Sequence, residues 1–132
     1  MKKTLLAAAA LLMTAGTALA DPAAGVWRSE NSEETNRFMH VKVSPCGAQV
    51  CGVIQAVYEA NGSPVAGHPA TGKRMIWDMQ PAGNGSYVNG QIWAPDNERT
   101  YKSKMQLQSS NQLKVEGCIL GICRGQTWTR VR

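Results

Sequence analysis

The chain has few of the side chains that do chemistry. It holds two histidines, His40 and His68. No G-x-S-x-G elbow, H-E-x-x-H pair or phosphate-binding G-x-x-x-x-G-K-[ST] loop occurs. His40 falls on an outward position of a predicted strand and His68 in a predicted loop, so nothing brings them together as metal ligands. The nine carboxylates are scattered, and Glu33-Glu34 reads as a solvated loop rather than an acid/base pair. Catalysis is therefore not expected, and neither a metal nor a cofactor is called for. Charge is also thin: 14 basic residues stand against nine acidic ones, with no basic stripe, which excludes a nucleic-acid footprint.

Long hydrophobic runs are missing too, apart from one at the N-terminus. Lys2 and Lys3 precede an apolar stretch from Leu5 to Met13, and Ala18-Leu19-Ala20 has the small-x-small form of a cleavage site. This is the pattern of a secretory signal peptide over residues 1–20, cut after Ala20. The run is short of the about 20 apolar residues a spanning helix needs. Losing Lys2 and Lys3 lowers the net charge from +5 to +3. Residues 21–132 are enough for one domain with a modest core.

Only four cysteines occur, in two C-x4-C pairs: Cys46 with Cys51 and Cys118 with Cys123. An even count in a small exported domain reads as disulfides. Two local bridges are preferred, because a tight hairpin sets its flanking Cα atoms about 4.5–5.5 Å apart, a span that a disulfide accepts. A crossed pairing between the two segments stays open, as does a four-cysteine zinc site, though an oxidising compartment disfavours zinc.

No apolar pattern of helical period runs through residues 21–132, whereas period-two alternation is common. In FMHVKV, Met39, Val41 and Val43 share one face, and Phe38, His40 and Lys42 the other. KSKMQL and LKVEG alternate the same way. Turn residues divide the chain into about eight strands, at 25–30, 36–45, 50–59, 74–81, 86–94, 99–108, 112–119 and 123–131. Short connections favour antiparallel neighbours. A meander of eight such strands can close into a barrel and lose its edges, and a two-layer sandwich is the alternative. The acidic stretch SENSEETN, 29–36, has the makings of a helical turn. The stretch ANGSPVAGHPATG, 60–72, is the longest loop.

Two tryptophans fall near the ends of this meander. Gly25-Val26-Trp27 opens it and Gln126-Thr127-Trp128-Thr129-Arg130 closes it. A G-x-W on the first strand and an Arg on the last resemble the lipocalin and wider calycin pattern, which implies that Arg130 packs across Trp27 and closes one end of a barrel. The larger set GVW, VKVSPCGAQVCGVI, NGQIWAPDNERTYKSKMQL and LKVEGCILGICRGQTWTR is similar to DUF2147, a family of small exported bacterial proteins. The resemblance covers essentially all of residues 21–132, includes the four cysteine positions, and implies a lipocalin-like barrel in the periplasm. It departs from the family form at Asn89, Trp93, Ala94 and Glu98, where that form has Gly, Tyr, Asp and Gly. It brings no catalytic residue.

The expected fold is thus all-β, a lipocalin-like eight-stranded antiparallel up-and-down barrel. Such a barrel is just wide enough for packed side chains or one small ligand. The inward positions nominated for a ligand cavity are Met39, Val41, Ile54, Trp77, Ile92, Tyr101 and Met105, with the 60–72 loop gating the mouth; the same side chains can instead fill the interior. The favoured function is a non-enzymatic binder of a small apolar or amphipathic ligand. The alternative is a protein-interaction module or inhibitor that uses ADPAAG, 20–25, and the 29–36 loop, as small calycin-like inhibitors do.

Overall fold

The computed structural model describes residues 21–132; the expected signal peptide lies outside them. Eight strands follow in order: β1 (Gly25–Arg28), β2 (Phe38–Cys46), β3 (Gln49–Tyr58), β4 (Arg74–Gly83), β5 (Ser86–Ala94), β6 (Arg99–Ser109), β7 (Gln112–Ile119) and β8 (Ile122–Arg130). Each pairs antiparallel with the next, and β1 pairs with β8 through Trp27–Arg130 and Arg28–Thr129, which closes the barrel. The closure rests on those two residue pairs, and beyond them β8 meets the 29–36 loop, where the Thr127 N–H donates to the Glu30 carboxylate.

The alternation read from the sequence sets which side chains enter the barrel. On β2, Val41 and Val43 are buried inside while Lys42 is exposed between them. Phe38, outward by the same alternation, is still buried. It stacks on Tyr58 at 5.1 Å and lies under the Arg28 guanidinium, which is 3.9 Å from the ring centroid.

The strand boundaries differ from the sequence reading mainly around β1 and β2. β1 ends at Arg28 because Ser29 turns inward, where its hydroxyl oxygen accepts a hydrogen bond from the Met39 N–H. β2 begins at Phe38 because Asn36 takes a left-handed backbone, φ 57°. SENSEETN forms one capped turn and no helix. The Ser32 hydroxyl oxygen accepts from the N–H groups of Glu34 and Thr35, and the Asn36 N–H donates to the Ser32 carbonyl.

The hairpin turns at 46–49, 83–86 and 109–112 share one end of the barrel with both ends of the described chain, and that end is sealed. Trp27 is fully buried there, and the Arg130 guanidinium sits 4.4 Å above its ring. The same guanidinium donates to the carbonyls of Pro22, Ala24 and Ser110. The Trp27 indole N–H donates to the Ala23 carbonyl, and the Tyr87 hydroxyl donates to Asp21. Residues 21–24 are therefore a plug, with Ala23 wholly buried. Burial and the neighbouring Asp21 carboxylate push the Tyr87 phenol well above its usual range.

Above the plug the interior is solid. Val41, Val50, Ile54, Ile76, Met79, Met105 and Leu113 are all buried. Gly90 faces Met79 across the wall, and any Cβ at this position would collide with the Met79 sulfur. The methionine thus uses space that only glycine leaves free.

Candidate functional site

The opposite end of the barrel is built from the loops 29–37, 59–73, 95–98 and 120–121, and here the interior is hollow. A cavity of ≈ 810 Å³ runs from these loops down to the packed half. Its strand-borne wall is mostly apolar, with Met39 on β2, Val57 on β3, Met75 on β4, Ile92 on β5, Val115 on β7 and Trp128 on β8, and its polar members are Tyr101 on β6 and Arg124 and Gln126 on β8. That volume falls within the range of small-molecule sites. The barrel is therefore filled at one end and empty at the other.

The hollow has a specific origin in β7 and β8. The alternation that places Leu113 and Val115 inside puts Gly117 next on the inner face, opposite Arg124. A Cβ at Gly117 would find Ile92 and Tyr101 at 3.5 and 3.6 Å, ordinary contact distances. The glycine thus leaves room rather than answering a clash. On β8, Arg124, Gln126 and Trp128 share the inner face. Arg124 is the one charged strand residue bordering the cavity, and it makes no ion pair among the described residues.

The rim is polar and held by cross-loop bonds. The Ser32 hydroxyl donates to Asp96, tying the 29–36 loop to the β5–β6 turn. The Thr127 N–H donates to the Glu30 carboxylate at 2.6 Å, tying the same loop to β8. Arg37 pairs with Glu59 at 3.0 Å, and the Asn97 amide donates to the Tyr101 hydroxyl at 2.8 Å. Seven residues of the 29–36 segment border the cavity, Ser29 to Thr35; the 60–72 loop contributes His68. The acidic loop thus supplies more of the rim than the 60–72 loop, the one expected to gate the mouth.

Of the nominated cavity residues, Met39, Ile92 and Tyr101 border the hollow. Val41, Ile54 and Met105 do not. They lie lower, in the packed half, because the inner face of each strand passes from hollow to filled within one or two alternations. Trp77 is a correction. It is half-buried, away from the cavity, with the Arg74 guanidinium 4.7 Å from its ring. The register between β3 and β4 shifts around Gly52, so Met75 and Ile76 are both buried and Trp77 falls to the outer side. Trp93 is half-buried under the Lys73 ammonium, 5.1 Å from the ring centroid. Missed from the sequence were Val57, Met75, Val115, Gly117, Arg124, Gln126 and Trp128. The alternation in LKVEG and RGQTWTR marks the last five.

The sulfurs of Cys46 and Cys51 are 1.93 Å apart and those of Cys118 and Cys123 2.06 Å. Each pair staples a hairpin, one at the sealed end and one at the mouth. His40 is away from the cavity, beside Tyr58 at 4.6 Å. Burial first, and then the charges of Arg132 and Arg28, hold its imidazole below the usual value. Among the described residues no three His, Cys, Asp or Glu side chains form a metal-binding group. A second depression, of ≈ 490 Å³, lies along β5–β7 between Asn89, Gln91, Lys102 and Lys104; it is an outer surface groove and not part of the interior.

A search of curated proteins finds no match. A solved structure described as protein HP1028 from the human pathogen Helicobacter pylori, belonging to the lipocalin family, superposes with a TM-score of 0.66 at 15% identity, over 83% of this chain and 82% of that one. At that identity the likeness concerns the fold, a lipocalin-like barrel. A family model described as an uncharacterized protein conserved in bacteria (DUF2147) matches residues 25–130, from the first residue of β1 to the last of β8, and the chain belongs to that family.

Proposed function

We propose that the protein is an exported, periplasmic binder of a small apolar or amphipathic molecule and is not an enzyme. One observation carries this reading: the ≈ 810 Å³ hollow, mostly apolar on its strand walls and polar at its rim, at one end of an otherwise packed barrel. An apolar floor under a polar mouth suits a ligand with a hydrocarbon body and a hydrated head. Met39 and Met75 add adaptable walls, since thioether side chains repack around differing shapes. Two disulfide-bonded hairpins and the N-terminal signal pattern support the compartment. The interaction-module reading gains nothing from residues 21–24, which are committed to the sealed end by Arg130, Trp27 and Tyr87.

The test is native mass spectrometry of protein purified from the periplasm, beside the same sample denatured. A small molecule that rides on the folded species and leaves on unfolding is the expected result. A bare folded mass, together with no uptake of fluorescent fatty acids by the purified barrel, refutes the reading. The denatured mass also counts bridges, since two disulfides lower it by about 4 Da.

A further inference from the structure

At the mouth, the β7–β8 hairpin ends in Ile119-Leu120-Gly121-Ile122. Leu120 is 96% exposed, Ile122 66% and Ile119 57%. Leu120 and Gly121 both have a left-handed backbone, φ 50° and 79°. A two-residue turn of that hand favours Asn-Gly. A leucine there forgoes the tolerance of Asn for left-handed geometry and also leaves its whole apolar side chain in water. The fold gains no packing from it in return. A residue that breaks local rules without serving the core points to a contact made outside the chain. Directly behind it the Cys118–Cys123 bridge spans the hairpin, so the tip is held stiff. Ile119 and Ile122 also border the cavity, so apolar surface runs from the tip into the barrel.

We infer that this tip is a wedge that enters the interfacial layer of a phospholipid membrane. Its size argues for lipid over protein. Three side chains on one hairpin fall far short of the about 800 Å² per partner that a stable protein interface buries. The other exposed large hydrophobics, Val53 and Val131, lie on β3 and at the C-terminus. A lipid surface asks only for shallow insertion, roughly 5–10 Å. The attachment is apolar rather than electrostatic, because the loops and strand ends at this end carry Glu30, Glu33, Glu34, Glu59, Asp96 and Glu98 alongside Arg28, Arg37, Lys73, Arg74, Arg99 and Arg124, a balance with no excess of positive charge. With the tip inserted, the mouth faces the acyl boundary and a lipid tail can enter without crossing bulk water. That last step rests on the carrier reading; the docking does not.

The experiment is flotation of the exported protein, residues 21–132, with phosphatidylcholine vesicles at low and high salt, for the wild type and Leu120→Asn. The substitution installs the favoured Asn-Gly turn, so the fold is kept. The expected result is salt-insensitive flotation of the wild type and a partition coefficient about tenfold lower for L120N. Thermal stability should be no lower, and uptake of a fluorescent fatty acid from lipid-free solution unchanged. The inference is overturned if the wild type does not float, if L120N floats equally, if high salt abolishes flotation, or if L120N instead dissolves a concentration-dependent dimer. Flotation as expected, with no fatty-acid uptake by either protein, would sink the carrier reading and leave the docking standing.

Discussion

Replacing Gly117 with leucine should make the protein more stable and a poorer binder. The two effects have one cause. Gly117 lies on the inner face of β7 beside the hollow, and a Cβ there meets Ile92 and Tyr101 at 3.5 and 3.6 Å, contact without collision. Its backbone is not among the left-handed glycines, so a side chain introduces no strain. Removing a glycine cuts the entropy of the unfolded chain, worth about 0.4–1 kcal/mol. Partial burial of the new isobutyl group against Ile92 adds a similar amount, about 1 kcal/mol at roughly 25 cal/mol per Å². A gain of about 1–2 kcal/mol raises the melting temperature by about 5–10 °C in a domain of this size.

The same group occupies on the order of 100 Å³, a side chain at interior packing density, of an ≈ 810 Å³ cavity. Uptake of a fluorescent fatty acid should weaken by about tenfold, while Gly117→Ala keeps binding and takes the smaller part of the stability gain. The assays are urea unfolding and fluorescence titration on the same preparations. If the leucine variant is destabilised by more than about 1 kcal/mol, the site has no free volume, and the hollow does not exist as described. If it is stabilised and binds as before, ligand is held elsewhere.

Three further outcomes follow from the sealed end, the staples and the outer face. Arg130→Ala should lose about 2–4 kcal/mol in urea unfolding, because it removes a cation over Trp27 and charge-assisted bonds to three carbonyls; Arg130→Lys should recover only part, and fatty-acid binding at the other end should survive in both. Replacing Cys118 and Cys123 with serines should cost at most about 2 kcal/mol, since only four residues lie in the closed loop, and a larger loss would mean that the bridge organises more than its hairpin. His40 has a folded pKa below its unfolded value of 6.5, so the folded state binds fewer protons. Its contribution is complete above pH 6.5 and is lost as pH falls toward the lowered folded value. Stability measured from pH 7.5 to 5 should therefore drop less for His40→Gln than for the wild type, and parallel curves would refute that linkage.

Most of the architecture could be read before any coordinates. Alternation in FMHVKV, KSKMQL and LKVEG assigns inner and outer faces, and the turn residues separate eight strands, because a strand half in water must alternate. The cavity was harder to read. Alternation tells which side chains point inward, but not how far down the barrel each one sits. Val41 and Met39 are two residues apart on one face; the first is core and the second is wall. Trp77 shows a second limit. Its facing depends on the shifted register between β3 and β4, and one extra residue turns every later side chain over. The plug is non-local: Arg130 reaches carbonyls more than 100 residues earlier in the chain.

The two ends of the barrel divide stability from exposure. Most of the buried large side chains that touch no cavity, the Arg130 clamp and the Trp27 indole bond lie toward the sealed half. At the mouth are an unpaired guanidinium, a glycine that leaves space, a loop held by two polar ties and a leucine in left-handed backbone. Regions with few apolar contacts open at lower free energy than the core. Breaking the Ser32–Asp96 and Glu30–Thr127 ties should therefore free the 29–36 loop without unfolding the barrel. In Ser32→Ala combined with Glu30→Ala, hydrogen exchange should quicken at residues 29–36 and stay slow along β2 to β4, with ligand on- and off-rates rising together. Global quickening across β2 to β4 would mean that the mouth and the sealed end form one cooperative unit, and the acidic loop would then be part of the fold and not a gate over the cavity.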